Sequence, residues 1–132
     1  MIAFTIPGKP VAFARAGTNG KRRFTPSRQA AYMAEVTIRA SQVMGADQPF
    51  DGAVHLAVRV ESTHPIKWGA AKKARIKWRI SVPDADNILK LIADAMQGVV
   101  YLNDSQIAHA EVQKMYGVKD CVTVSVTRLE NE

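Results

Sequence analysis

A chain of 132 residues, 47% hydrophobic and 23% charged, has the size and balance of one globular domain, expected here over residues 1–132, and this excludes wholesale disorder. Its formal net charge of +6 and sequence pI of about 9.7 point away from basic partners and toward a polyanion. One cysteine, Cys121, excludes an internal disulfide and a cysteine-rich zinc site, and no stretch approaches the ~20 apolar residues of a membrane span.

In chain order, Ile2, Phe4 and Ile6 alternate with Ala3 and Thr5, which predicts a strand. MIAFTIPGKP has no basic leader before an apolar run, so a soluble protein of the reducing cytoplasm is expected, with no membrane contact. Residues 7–24 form a Gly- and Arg-rich loop. Thr25-Pro26 reads as a helix N-cap with proline in the first turn. The helix that follows places Tyr32, Val36, Ala40 and Val43 on one side and should end near Gly45. Asp51-Gly52 turns into a second strand, with Val54, Leu56, Val58 and Val60 alternating with His55, Ala57 and Arg59. Residues 62–82 form a basic, exposed excursion in which GAAKKARIKW can make a short helix. From about 85 to 97, Ile88, Leu91, Ile92, Ala95, Met96 and Val99 form an apolar stripe, and Gly98 is a natural stop. Two strands close the chain, roughly 106–116 and 121–129. This order implies a small α/β (α+β) domain with a mixed sheet and two main helices packed on it.

The charge is uneven. Residues 1–40 carry seven Lys/Arg against Glu35 alone, and residues 67–79 carry six with no acid, whereas the last 42 residues are net acidic. Both basic blocks also hold aromatics, Phe24 in one and Trp68 and Trp78 in the other. That combination favours a nucleic-acid surface over a merely solvated basic face.

Against this background the stretch PDADNILKLIADAMQGVVYLNDSQ stands out. It gathers Asp84, Asp86 and Asp104 around one helix. Clustered carboxylates repel one another, and a hard divalent cation relieves the repulsion best. Capping and dipole stabilisation account equally well for Asp84 and Asp86, and turn chemistry for Asp104. Lys90 lies four residues after Asp86, as a surface pair or as a cation beside developing phosphate charge. His55, His64 and His109 show no metal-ligand spacing, and Cys121 reads as a packing residue.

On PDADNILKLIADAMQG followed by VVYLNDSQI, the sequence resembles the RusA family of Holliday junction resolvases, small endodeoxyribonucleases often encoded by phages and prophages. IPGKPVAFARAG is similar to that family's opening loop. The resemblance implies that Asp84, Asp86 and Asp104 bind metal and act in catalysis, with Lys90 the catalytic lysine and Asn87, Asp94 and Gln106 in support. Many members have two consecutive acids in the turn, where this chain has Asn103 before Asp104. It further implies a RusA-like fold, a homodimer, Mg²⁺ or Mn²⁺ rather than a small-molecule cofactor, and paired nicks across a four-way DNA junction.

The reading is therefore a metal-dependent, structure-selective endodeoxyribonuclease of recombination and repair. Its backbone grip would come from Arg15, Lys21, Arg22 and Arg23 and from the 67–79 block, including Lys72, Lys73 and Arg75. Two rivals remain: a non-catalytic nucleic-acid-binding protein whose aspartates are caps, and an assembly or regulatory protein whose basic face binds an acidic partner.

Overall fold

Alternation of apolar and polar residues builds four strands. In the computed structural model, which describes residues 1–13 and 27–131, these are β1 (Ile2–Pro7), β2 (Val54–Thr63), β3 (Ile107–Gly117) and β4 (Cys121–Arg128). They form one mixed sheet in the order β1-β4-β2-β3. β4 lies between β1 and β2 and is antiparallel to both, with Val124 opposite Phe4 and Val58. β3 runs parallel to β2 along its other edge, with Val112 opposite Val58. A parallel pair needs a long crossover, and here it carries the short helix α2 (Ala70–Arg75), the helix α3 (Ala85–Met96) and a 3₁₀ turn at Asp104–Gln106.

Helix α1 (Ser27–Met44) and α3 pack against each other and against the sheet, making a small α+β domain. Fully buried Val54, Leu56, Val60, Val122, Val124 and Val126 meet Ile88, Leu91, Ile92 and Met96 across this interface. The stripe of α1 differs from expectation at its end. Met44 is 4% exposed and Val43 is 39% exposed, because Tyr32, Val36, Ala40 and Met44 keep an i+4 row that position 43 leaves. Gly98, at φ +87°, turns the chain out of α3 as expected. Among the described residues no helix is long and apolar enough to cross a membrane.

Residues 118–120 must carry the chain from β3 to β4 over the carboxyl end of β2, two strand spacings away. β2 holds that link. Glu61 Oε2 accepts from the Val118 and Lys119 N–H groups (2.9 and 3.3 Å), and Asp120 Oδ1 accepts from Thr63 N–H at 2.8 Å. The basic excursion is tied down as well. Arg79 N–H donates to Lys114 O (2.9 Å) and Tyr116 N–H to Lys77 O (2.9 Å), so residues 77–79 lie along the outer edge of β3. The expected short helix is present as α2, and none of its residues is buried.

Candidate active site and nucleic-acid interface

The crossover places the amino end of α3 at the carboxyl ends of β2 and β3, where open α/β sheets take their ligands. Asp84 occupies the N-cap position, yet its side chain makes no capping hydrogen bond. Asp86, in the first turn, accepts only from the neighbouring Asn87 N–H (3.0 Å) among the hydrogen bonds of the described residues. Both aspartates are exposed. The structure thus fills the capping position without using the carboxylate, which leaves acidic oxygens open to a hard cation.

Two cations hold the approach to these acids. Lys114, on β3, donates to Ser81 O and Pro83 O (2.8 Å each), and Arg79 Nη2 donates to Val82 O (2.6 Å). Three successive carbonyls before Asp84 are therefore fixed from outside the loop. Burial lowers the Lys114 pKa below the ordinary lysine value, with the nearby Arg79 charge adding to it and Asp84 opposing. The sequence reading missed Lys114, since a lysine in an edge strand looks like a solvated one. It also assigned Arg79 to the DNA-gripping block, whereas its guanidinium turns inward onto the loop.

Lys90 pairs with Asp94 (3.5 Å) instead of the expected Asp86, and its ammonium lies 4.9 Å from the centre of the Phe13 ring. Phe13 N–H donates to Asn87 O (3.0 Å), which fastens the N-terminal segment to the acidic end of α3. Arg15, Lys21, Arg22 and Arg23, expected on DNA, lie outside the described residues.

Asp104 stands elsewhere. It opens the 3₁₀ turn, and its N–H donates to Gln97 Oε1 (3.1 Å) at the carboxyl end of α3. Thirteen helical steps separate Asp84 from Gln97, roughly 20 Å at 1.5 Å per residue. Asp104 and Asp94 both lie near Tyr101, whose hydroxyl donates to Ala93 O (2.6 Å). Burial, then these two acids, push the Tyr101 pKa far up and keep the phenol neutral. Gln106 knits the turn: Oε1 accepts from Leu102 and Asn103 N–H (2.9 and 3.0 Å), and Nε2 donates to Phe50 O and Gly52 O (2.8 and 2.9 Å). Asn103 caps the turn through Ser105 N–H (2.9 Å), a role an acid could also fill.

A cleft of about 410 Å³ opens beside Pro83 and Ser81, with Lys9, Arg28, Arg79 and His64 in its walls. The acid there, Asp120, is engaged by Thr63. At its rim His64 stacks on Tyr116 (5.0 Å between ring centres), and Trp68 leans on the same tyrosine (5.1 Å). Lys72 lies 4.5 Å from the Trp68 ring centre, and Lys73 and Arg75 are exposed beside it on α2.

A basic α+β domain that sets uncommitted carboxylates beside a basic, aromatic-edged cleft has the parts of a nucleic-acid-processing protein. Comparison with known proteins gives the particular class. The family model described as Endodeoxyribonuclease RusA matches residues 7–127, nearly the whole chain, and the chain belongs to that family. It is also similar to the uncharacterized protein YqaN of Bacillus subtilis (strain 168), at 27% identity over 134 residues, covering 95% of this chain and 94% of that protein.

Proposed function

We propose that this chain is a metal-dependent, structure-selective endodeoxyribonuclease that resolves four-way DNA junctions by paired nicks, acting in recombination or repair in the manner of a phage-type resolvase. The observation that carries the reading is the acidic end of α3, where Asp84 fills a cap position without capping and opens beside a basic cleft. Asp84 and Asp86 are suited to hold Mg²⁺ or Mn²⁺, ions bound through one or two carboxylates together with waters and substrate phosphate. When bound, such an ion polarises the scissile phosphate and lowers the pKa of an attacking water. Lys90 stands two helical turns or less from both acids and offsets negative charge developing on the phosphate. The cleft and α2 hold the DNA backbone, which gives affinity without sequence information and leaves junction choice to shape.

Asp104 takes part from a second copy of the chain. Within one chain it is tied to the far end of α3, whereas an isologous dimer can set one copy's amino end of α3 against the other's 3₁₀ turn. Two identical sites then meet symmetry-related strands of a junction that itself has approximate two-fold symmetry.

The test is cleavage of a synthetic four-way junction with and without Mg²⁺, followed by mixing of Asp86→Asn and Asp104→Asn chains. Metal-dependent paired nicks are expected from the wild type. The mixed dimer should recover single-strand nicking, because one of its two composite sites is then wholly wild type. Salt-sensitive binding without cleavage at any Mg²⁺ concentration would leave a non-catalytic DNA-binding protein. Cleavage without recovery in the mixture would keep the nuclease and reject the shared site.

A further inference from the structure

The helix-free face of the sheet carries a second group of metal-ligand side chains. His55 alternates with the buried Val54 and Leu56, so it points away from α1 and α3. Across the parallel pair its register partner is His109, and Ala57 faces Glu111, which brings His55, His109 and Glu111 to one patch. The two imidazoles are stacked, 3.8 Å between centres and 12° between planes. His55 Nε2 lies 2.8 Å from Glu111 Oε1. One ligand atom from each residue falls within 4.8 Å of the others, and among the described residues this is the group of three such side chains that does so. Asp84, Asp86 and Asp104 do not meet that distance within one chain.

We infer that His55, His109 and Glu111 form a binding site for a borderline transition-metal ion of the zinc class, separate from the acidic end of α3. Two imidazoles and one carboxylate with an open fourth position are a known zinc donor set, and imidazole disfavours Mg²⁺. Ligand atoms around tetrahedral zinc stand about 3.3 Å apart, given bonds of ~2.0–2.1 Å. The His55–Glu111 separation is already below that, and the remaining closure falls within side-chain rotation. Ladder hydrogen bonds fix both strands, so that closure is asked of the side chains alone. The parallel register sets the two rings side by side and a His55–Glu111 hydrogen bond accounts for that contact; what the site adds is a carboxylate and two imidazoles with ligand atoms within 4.8 Å of one another. A bound ion would clip the edge strand β3 to its neighbour.

The experiment uses the full, untagged chain and ZnCl₂ alone, titrated by calorimetry and by competition with a chromophoric chelator. The wild type and Asp86→Asn should each bind one zinc per chain at this site and melt at a higher temperature with zinc than without. His109→Ala should weaken that binding at least about tenfold, since even removal of a supporting partner costs this much. It should also lose the zinc-dependent rise in melting temperature. Glu111→Gln, which can keep a hydrogen bond to His55, should weaken zinc as well. Cobalt substitution should give a tetrahedral visible spectrum in the wild type that His109→Ala lacks. Equal zinc binding by wild type and His109→Ala would overturn the inference, as would zinc loss in Asp86→Asn but not in His109→Ala.

Discussion

The two ends of α3 are built on opposite plans. At the carboxyl end nearly every polar group is engaged: Gln106 makes four hydrogen bonds, Asn103 caps the turn, Gln97 accepts from Asp104 N–H, and the Tyr101 hydroxyl closes on Ala93 O. One carboxylate, Asp104, is left exposed on a stiff frame. At the amino end the backbone is clamped by Arg79 and Lys114 while the side chains of Asp84 and Asp86 are left open. The contrast teaches that helix capping does not explain the paired aspartates. An N-cap serves stability through its side chain, and here that contribution is absent.

Asp86→Asn gives the largest expected effect and tests the contrast most sharply. Asparagine replaces the carboxylate with a group of the same shape and removes a charge that a metal needs. Junction cleavage should fall by orders of magnitude, junction binding should hold or tighten, and unfolding free energy should stay within about 0.5 kcal/mol, as for an ordinary surface change. Parallel cleavage assays, filter binding and urea melts read the three quantities. Near-normal cleavage would remove Asp86 from the site.

The opposite end should respond in the opposite way. Gln106→Ala frees two exposed N–H groups, which water can take up, and strands two part-buried carbonyls, from which a cost of about 1–3 kcal/mol follows. Urea or thermal unfolding should show it directly, and cleavage should decline because Asp104 loses its frame. A variant as stable as the wild type would mean the turn is held by Asn103 and Gln97 without the glutamine.

Lys114→Met comes next. The substitution keeps the aliphatic stem and deletes the hydrogen bonds to Ser81 O and Pro83 O. Stability should change little, whereas turnover should drop roughly tenfold, one decade for about 1.4 kcal/mol of misplaced charge. The Mg²⁺ concentration for half-maximal cleavage should rise, and Lys114→Arg should recover part of the loss. A purely structural lysine would lower melting temperature and leave the Mg²⁺ midpoint unmoved.

Much of this was legible from one sequence, for reasons that can be stated. Alternation in residues 2–6, 54–60 and 121–129 reports a sheet with one covered face, and the stripe from Ile88 to Met96 reports a helix on it. Gly98 stops that helix because its backbone takes a positive φ. What sequence could not reveal is partner choice across space. Lys114 looks solvated until residues 81–83 are folded against β3, and Arg79 looks like a DNA contact until its guanidinium meets Val82 O. His55 and His109 have no metal spacing along the chain, because their proximity is a property of parallel register. The same holds for Asp104, which the fold ties to Gln97 at the far end of α3 from Asp84.

The smallest effect should come from α2, the least supported element. All six of its residues are exposed, so changing Lys72, Lys73 and Arg75 together should not touch the core or either end of α3. If these side chains lie against DNA, each lost duplex phosphate contact lowers the log–log salt slope by about 0.9. Binding should weaken for junction and linear duplex alike, because phosphate contacts carry no sequence or branch information. Turnover at saturating DNA should remain near the wild-type value, unlike Asp86→Asn, which spares binding and abolishes turnover. The Lys72 contact with Trp68 adds a second reading, since the lysine braces the indole that leans on Tyr116 at the cleft rim. Lys72→Ala alone should therefore change Trp68 fluorescence, whereas Lys73→Ala should not. A salt slope identical to the wild type in the triple variant would mean that α2 faces away from DNA. The grip would then belong to the cleft residues Lys9 and Arg28 beside the acidic end of α3.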